Sequence, residues 1–146
     1  MRSIQRGANG SVGLFVDGPN VFRSEFHADL DDLREAAERF GRLAVARVYL
    51  DADAPADLLR AVEAHGFEAV VTSGDVDVRL AVEATDALAE HGIEVVAIAS
   101  RDVDFKPVLE AAGRRGVRTV AIAPGEHGRS EGLTAAADEA VLLEGR

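Results

Sequence analysis

The sequence contains no cysteine and no tryptophan, and aromatic residues make up only 5% of the chain. Without cysteine there is no disulfide, no thiolate zinc site and no thiol nucleophile. The few aromatic residues give no sign of an extended platform on which nucleic-acid bases stack. No apolar run approaches the ~20 residues of a membrane span, and residues 1–10 lack the apolar stretch of a signal peptide. We therefore expect a cytoplasmic protein that does not enter a membrane.

Basic residues are also scarce. The chain has 16 Lys and Arg against 26 Asp and Glu, for a net charge of −10, and Lys106 is its single lysine. An acidic surface suits concentrated salt, where self-repulsion is screened, so we predict a halophilic organism. The balance argues against non-specific coating of DNA, because neutralising phosphates needs Lys and Arg. At ~1 M salt, however, the Debye length is only ~3 Å, so local charges matter more than the total.

The glycine-rich loops GxGxxG and GxxxxGK[ST] are absent, so we expect no dinucleotide or nucleoside triphosphate site of the usual kind. Instead, apolar runs alternate with helical patterns. The predicted strands cover residues 11–16, 43–50, 67–72, 93–99, 117–123 and 140–144. The predicted helices cover residues 31–40, 55–66, 75–92, 104–116 and 131–138.

The predicted strands are continuous apolar runs, which are typical of a parallel sheet covered on both faces. Regular alternation of strands and helices indicates a three-layer α/β sandwich with a mostly parallel central sheet. A chain of 146 residues suits one domain of this kind. We place the domain at residues 11–146, after a disordered tail at residues 1–10.

Acidic residues follow several of these strands at the point where each strand ends. They are Asp17 after the first, Asp51 and Asp53 after the second, Asp75 and Asp77 after the third, and Asp102 and Asp104 after the fourth. In doubly wound sheets, ligands bind beyond the carboxyl ends of the strands. The pattern therefore points to a function at one edge of the sheet.

Each acid alone also has a structural interpretation. The "DGPN" segment after the first strand has the composition of a turn, and the other acids have the composition of helix caps. Taken together, carboxylates at one sheet edge repel unless a cation lies between them, and hard divalent cations prefer oxygen ligands. If the first and fourth strands are neighbours, about 4.8 Å apart, Asp17 and Asp102 share one Mg²⁺ or Mn²⁺. We therefore favour a metal site.

Three segments carry a resemblance to a known family. "LFVDGPNV", "GDVDVRLAVEA" and "SRDVDFKPVLEAAGRRG" resemble the signature blocks of NYN domains, which are PIN-like ribonucleases, and in particular the archaeal members of the LabA/DUF88 group. The resemblance extends from Val12 to the terminal "SEGLTAAADEAVLL". It implies a PIN-like, Rossmannoid sheet with strand order 3-2-1-4-5. It also implies cleavage of RNA by an acidic cluster that holds Mg²⁺ or Mn²⁺.

The resemblance also assigns residues. The predicted metal-binding and catalytic residues are Asp17, Asp77, Asp102 and Asp104. The predicted substrate-binding residues are Asn20, Arg23, Ser100, Arg101 and Lys106. Arg101 and Val103 depart from the family block S-G-D-S-D-F, and Arg101 either narrows the site or binds phosphate. Glu83, where many relatives have aspartate, lies ~120° around the helix from Asp77, so we do not expect it to bind metal.

These residues lead to two hypotheses of different classes. The first is a metal-dependent endoribonuclease with RNA as its partner. The second is a non-catalytic PIN-like domain that binds RNA or a protein, and the resemblance leaves a homodimer open.

A phosphatase of the haloacid dehalogenase type needs an acid where Pro19 stands, and a receiver domain needs a lysine after its fifth strand, so we set both aside.

A further hypothesis concerns the basic residues near the fourth and fifth strands. Positive charge concentrates there in an otherwise acidic chain, at Arg101, Lys106, Arg114, Arg115 and Arg118. Such a group is suited to following a nucleic-acid backbone. The alternative is an ordinary helix end, where arginines complement the helix dipole.

Overall fold

The computed structural model describes residues 10–22, 29–90, 92–125 and 131–143. Of the predicted tail at residues 1–10 only Gly10 is described, and the predicted phosphate contact Arg23 lies outside the described residues. Within the described ranges, no helix has the length and apolar character needed to cross a bilayer.

A single sheet of six strands forms the middle layer. The strands are β1 (Ser11–Asp17), β2 (Arg42–Asp51), β3 (Glu68–Thr72), β4 (Val95–Ala99), β5 (Arg118–Pro124) and β6 (Glu139–Leu143). Their order in the sheet is β3-β2-β1-β4-β5-β6, and every neighbouring pair is parallel. The predicted order 3-2-1-4-5 is confirmed, and β6 extends the sheet beyond β5.

Helices connect the strands. They are α1 (Gly18–Val21), α2 (Leu30–Glu38), α3 (Ala56–Ala64), α4 (Val76–Glu90), α5 (Lys106–Arg114) and α6 (Glu131–Ala136), with a 3₁₀ turn at Val103–Phe105 before α5. The five predicted helices correspond to α2 through α6. The prediction missed α1, because its four residues resemble a turn in composition. Proline at the start of α1 presets the helical φ angle.

Two apolar clusters cover the two faces of the sheet, so the three-layer prediction is confirmed. On one face Val16 packs in a cluster with Leu33 of α2. On the other face Phe15 packs in a cluster with Leu80 of α4 and Leu109 of α5. Neighbouring strand residues thus point to opposite faces, as the strand repeat of two requires.

This alternation decides where the polar residues at the strand ends point. Three side chains in the α4 and α5 cluster come from the ends of neighbouring strands, namely Phe15, Tyr49 and Ile98. Two positions further along the chain come Asp17, Asp51 and Ser100. Residues two apart share a face, so these polar side chains lie on the α4 side of the sheet.

Candidate metal centre

Asp17 and Ser100 form the buried base of the site. In the sheet, Val16 is the register partner of Ala99, which makes the next two residues, Asp17 and Ser100, neighbours. The Ser100 hydroxyl donates a hydrogen bond of 3.0 Å to Oδ2 of Asp17. Asp17 is only 6% exposed and Ser100 only 1%. The ends of β1 and β4 therefore meet through a polar contact that solvent hardly reaches.

The chain after β4 folds back over Ser100. The backbone N–H of Asp102 donates to the Ser100 hydroxyl oxygen at 3.0 Å. The backbone N–H of Asp104 donates to Oδ1 of Asp102 at 2.9 Å, so Asp102 caps the 3₁₀ turn. The capping interpretation of Asp102 is therefore correct, but the cap engages only one of its two carboxylate oxygens. Phe105 is buried beneath this loop.

The DGPN segment is held against the same loop. Oδ1 of Asn20 accepts a hydrogen bond of 2.9 Å from the backbone N–H of Arg101. Gly18 is packed so closely that a Cβ there would clash with the Tyr49 carbonyl oxygen and lie 2.5 Å from Cδ2 of Leu50. Glycine thus lets α1 approach β2, and Asn20 ties α1 to the end of β4.

Three carboxylates converge above this base. Oxygen atoms of Asp77, Asp102 and Asp104 all lie within 4.8 Å of one another. Asp77 and Asp102 are partly buried, whereas Asp104 is exposed. Asp77 lies in the first turn of α4, where its Oδ1 also accepts a hydrogen bond of 2.9 Å from the N–H of Val78. Hard divalent cations bind carboxylate oxygens at ~2.0–2.6 Å, so one ion fits among oxygens this far apart.

Asp17 lies outside that group of three but shares an open cleft with two of its members. The cleft has a volume of about 420 Å³. Its lining consists of Asp17, Pro19, Asn20, Asp51, Gly74, Asp75, Val76, Asp77 and Asp102. Sequence reasoning noted Asp51 and Asp75 only as acids at strand ends. Asp51 and Asp75 lie in the same lining as Asp77 because of the way β2, β3 and α4 pack. The sequence pattern does not predict that packing.

The electrostatics of the cleft favour a cation. The pKa of Asp17 is raised from 3.8 to about 6, chiefly by burial and also by the negative charges of Asp102 and Asp77, against the opposing effects of the Ser100 hydroxyl and the Asn20 backbone N–H. A cation beside these carboxylates would remove the cost of ionising Asp17. The donor set consists of oxygen atoms alone, which suits Mg²⁺ or Mn²⁺.

The predicted group of five basic residues does not lie together. Arg101 and Lys106 lie near the acidic edge, and the Arg101 guanidinium donates to the Pro124 carbonyl at 3.0 Å. Arg118 begins β5, at the amino ends of the strands and opposite the acids. There it pairs with Glu139 and lies 5.4 Å from the ring centroid of Phe40. The five residues therefore do not form one cluster, and their contact with a nucleic-acid backbone stays a prediction.

The reason is the direction of α5. This helix leads from the carboxyl end of β4 back toward the beginning of β5, so Arg114 in its last turn and Arg115 just after it lie away from the acids. Arg101 and Arg118 are close in the sequence, but about one helix length separates them in the fold.

Glu83 lies away from the acidic group, as its helical position predicted. The Tyr49 hydroxyl donates to Oε1 of Glu83 at 2.8 Å, and Nε of Arg79 donates to Oε2 at 2.5 Å. Nη1 of Arg47 also lies 3.5 Å from Oε1. Glu83 is thus a partner of a tyrosine and two arginines, a role that no sequence pattern indicated.

Comparisons with known proteins agree with this fold. An uncharacterised protein of Methanocaldococcus jannaschii is 39% identical over 142 residues, which cover 97% of this chain and 59% of that protein. The chain therefore spans less than two thirds of this archaeal relative. A crystal structure of a protein of unknown function from Vibrio parahaemolyticus matches with a TM-score of 0.79 and 19% identity, covering 94% of each chain. At that identity the likeness concerns the fold alone.

The three sequence blocks that surround the cleft are also characteristic of a family. The model of the NYN domain, a nuclease-type family, matches residues 11–144. That range includes every strand of the sheet and every acid of the cleft. The chain therefore belongs to the NYN domain family.

Proposed function

We propose that this chain is a metal-dependent endoribonuclease that hydrolyses phosphodiester bonds of RNA at the cleft between β1, β4 and α4. The observation that carries the proposal is the convergence of Asp77, Asp102 and Asp104 oxygens within 4.8 Å. This cluster lies next to the buried Asp17, in a chain of a nuclease-type family. The positions match the acids expected from the three signature blocks.

The residues of the cleft fit Mg²⁺ or Mn²⁺. In the described part of the chain, the cleft is lined by oxygen-bearing acids and by no histidine. Asp77, Asp102 and Asp104 would hold the ion directly, and Asp17 would either join them or balance its charge from below. When bound, a divalent cation supplies charge stabilisation at the phosphate and lowers the pKa of an attacking water.

The neighbouring polar residues would keep these carboxylates in place. The Ser100 hydroxyl orients Asp17 and at the same time accepts the Asp102 N–H, so one side chain fixes two candidate ligands. The Asn20 side chain accepts a hydrogen bond from the backbone N–H of Arg101, the residue between Ser100 and Asp102. Such outer contacts commonly tune metal affinity by ~10–100-fold.

Two basic residues are candidates for binding the RNA backbone at this edge. Lys106 is exposed at the start of α5, directly after the 3₁₀ turn that carries Asp104. Arg101 contacts the Pro124 carbonyl, at the end of β5. We propose that both contribute positive charge next to the acidic cleft. Arg23, the third candidate, lies outside the described residues.

The position of Arg101 also bears on the rival hypothesis of a non-catalytic binding domain. That hypothesis gained weight from a guanidinium where the family has glycine, because the charge would neutralise part of a metal pocket. Arg101 is not among the residues that line the cleft, and its guanidinium bonds to Pro124. The intact set of acids then favours the nuclease.

The test is cleavage of end-labelled single-stranded RNA by the purified chain. Reactions contain Mn²⁺, Mg²⁺ or EDTA, each at low and at high KCl, with folding checked by circular dichroism under every condition. Cleavage that requires the metal is the expected result. A folded chain that binds Mn²⁺ but cuts none of several RNAs would contradict the proposal and favour a binding domain.

A further inference from the structure

Glu83 links α4 to β2 of the sheet through polar contacts. Its carboxylate accepts hydrogen bonds from the Tyr49 hydroxyl at 2.8 Å and from Arg79, one helical turn before it, at 2.5 Å. Arg47 of β2 approaches the same carboxylate at 3.5 Å and pairs with Glu68 of β3 at 3.1 Å. One carboxylate therefore connects α4 with β2, and through Arg47 with β3.

Tyr49 is itself fixed relative to the base of the metal centre. Its side chain is fully buried, and in the sheet it is the register partner of Asp17. Its carbonyl oxygen lies against Gly18, in the closest packing of the DGPN segment. The ring therefore has a fixed position with respect to Asp17, and its hydroxyl transmits that position to α4.

The buried contacts of α4 are less directional than this carboxylate. The buried side chains of α4 are apolar, namely Leu80, Ala84, Ala87 and Leu88. Apolar burial is non-directional and sets the distance of a helix from a sheet better than its axial position. A hydrogen bond is directional and loses strength within a few tenths of an ångström. The bond between Tyr49 and Glu83, together with the approach of Arg47 to the same carboxylate, is a directional constraint on that axial position.

Asp77 depends on that axial position. It lies six residues before Glu83 on the same helix, a rise of about 9 Å, and close to the N-terminal end of α4. Its oxygen atoms must come within 4.8 Å of those of Asp102 and Asp104, which are carried by a different part of the chain. A slide of α4 by 1 Å would move Asp77 by the same amount.

Both partners are held in the protonation states that this bond needs. Burial and the Glu83 carboxylate raise the pKa of Tyr49, so its hydroxyl remains a donor. Burial disfavours the charge of Glu83, but hydrogen bonds from Arg79 and Tyr49 outweigh it and lower the pKa of Glu83, so the carboxylate remains ionised. A hydrogen bond to an ionised acceptor is stronger than a neutral one.

We infer that Glu83 and Tyr49 are a positioning pair, which holds α4 so that Asp77 reaches Asp102 and Asp104. Glu83 itself would not contact the metal ion, since it lies outside both the acidic group and the cleft that holds Asp17. The inference rests on the proposed function only in assuming that the three acids bind a divalent cation.

The test compares Mn²⁺ binding by the full chain and its variants, using calorimetry. Tyr49→Phe removes the hydroxyl and leaves the buried ring. Glu83→Gln leaves one acceptor oxygen where the carboxylate has two, so the side chain can no longer accept from Tyr49 and Arg79 together, and its NH₂ group faces the Tyr49 hydroxyl when the oxygen faces Arg79. Thr85→Val is the matched control, because among the described residues the Thr85 hydroxyl bonds within α4, to the Ala81 carbonyl at 2.8 Å. The free energy of unfolding without metal is measured for all of them.

We expect Tyr49→Phe and Glu83→Gln each to raise the Mn²⁺ dissociation constant about tenfold, the low end of the range for outer contacts of a metal site. The double variant should bind no more weakly than the weaker single variant, because both changes break the same link. Thr85→Val should leave Mn²⁺ affinity unchanged, whatever it does to the free energy of unfolding.

Two other results would overturn the inference and are distinguishable from each other. If the wild type binds Mn²⁺ and both single variants bind it equally well, the pair has a structural role only, and the proposed function is unaffected. If the folded wild type binds no Mn²⁺, the metal centre and the positioning role are both wrong.

Discussion

The Ser100 hydroxyl donates a hydrogen bond of 3.0 Å to the Asp17 carboxylate, although 83 residues separate the two in sequence. This contact exists because β4 lies beside β1 in the sheet and both strands end at the same edge. It joins two of the three sequence blocks that identify the family. The junction therefore brings Asp17 of β1 next to the loop that carries Asp102.

Replacing Ser100 by Ala should destabilise the fold by about 1–3 kcal/mol, because the buried Asp17 carboxylate and the Asp102 N–H both lose a partner. It should also move the pKa of Asp17 upward, since the hydroxyl lowers it. Chemical denaturation and carboxyl NMR titration measure the two effects. Ser11→Ala, which removes an exposed hydroxyl bonded to the Gly92 carbonyl, should cost less than about 1 kcal/mol. Equal losses for both variants would contradict the assigned role of Ser100.

Asp17 should make the metal-free protein less stable as the pH rises. Its pKa is about 6 in the folded chain against an ordinary 3.8, so the native state prefers the protonated form. That stabilising effect is complete below about pH 4 and is lost as the pH rises through about 6. At pH 7.5, Asp17→Asn should therefore be more stable than the wild type by on the order of 2–3 kcal/mol. The asparagine oxygen still accepts the Ser100 hydrogen bond.

Urea denaturation of both proteins between pH 4 and pH 8, in EDTA and at constant KCl, measures this difference. The stability difference between the two proteins should grow over that interval. A difference that does not vary with pH would mean that Asp17 titrates normally.

A side chain at position 18 should lower the free energy of unfolding. A Cβ there would clash with the Tyr49 carbonyl oxygen and lie 2.5 Å from Cδ2 of Leu50, so Gly18→Ala should cost about 1–3 kcal/mol. Gly74 lines the same cleft, but the nearest atom to a Cβ there is Oγ1 of Thr72 at 4.0 Å. Gly74→Ala should change the free energy of unfolding by less than about 1 kcal/mol. Similar values for the two variants, measured by urea denaturation, would show that the approach of α1 to β2 is looser than described.

Mn²⁺ should stabilise the folded chain by mass action. At a free concentration one hundred times the dissociation constant, the gain is about 2.7 kcal/mol. Asp77→Asn should lose most of this gain, whereas Asp57→Asn should keep it, since Asp57 is an exposed acid in the first turn of α3. Denaturation at constant ionic strength separates specific binding from screening. If both variants respond to Mn²⁺ like the wild type, Asp77 is not a ligand.

The fold could be predicted largely from the sequence, for reasons visible in particular segments. Continuous apolar runs such as the β4 segment, which is buried throughout, indicate a parallel strand covered on both faces. Strand order did not follow from periodicity and came only from the resemblance to NYN domains. The position of β6 beside β5 was not predicted, and the four-residue helix α1 was mistaken for a turn.

The site was predictable to the extent that it lies at strand ends. Asp17 ends β1 and Asp102 lies in the loop after β4, where ligands of doubly wound sheets bind. The link between Tyr49 and Glu83 could not be predicted, because it depends on the register of β2 and the axial position of α4. For the same reason, the separation of Arg118 from Arg101 appears only in the folded chain.

The most direct test of the central claim is the rate of RNA cleavage by Asp102→Asn at saturating Mn²⁺, compared with the wild type and with Asp57→Asn. Asp102, like Asp77, belongs both to the acidic group of three and to the cleft that holds Asp17. We predict a loss of at least about a hundredfold for Asp102→Asn and an unchanged rate for Asp57→Asn. Cleavage by Asp102→Asn at the wild-type rate would contradict the assignment of this cleft as the active site.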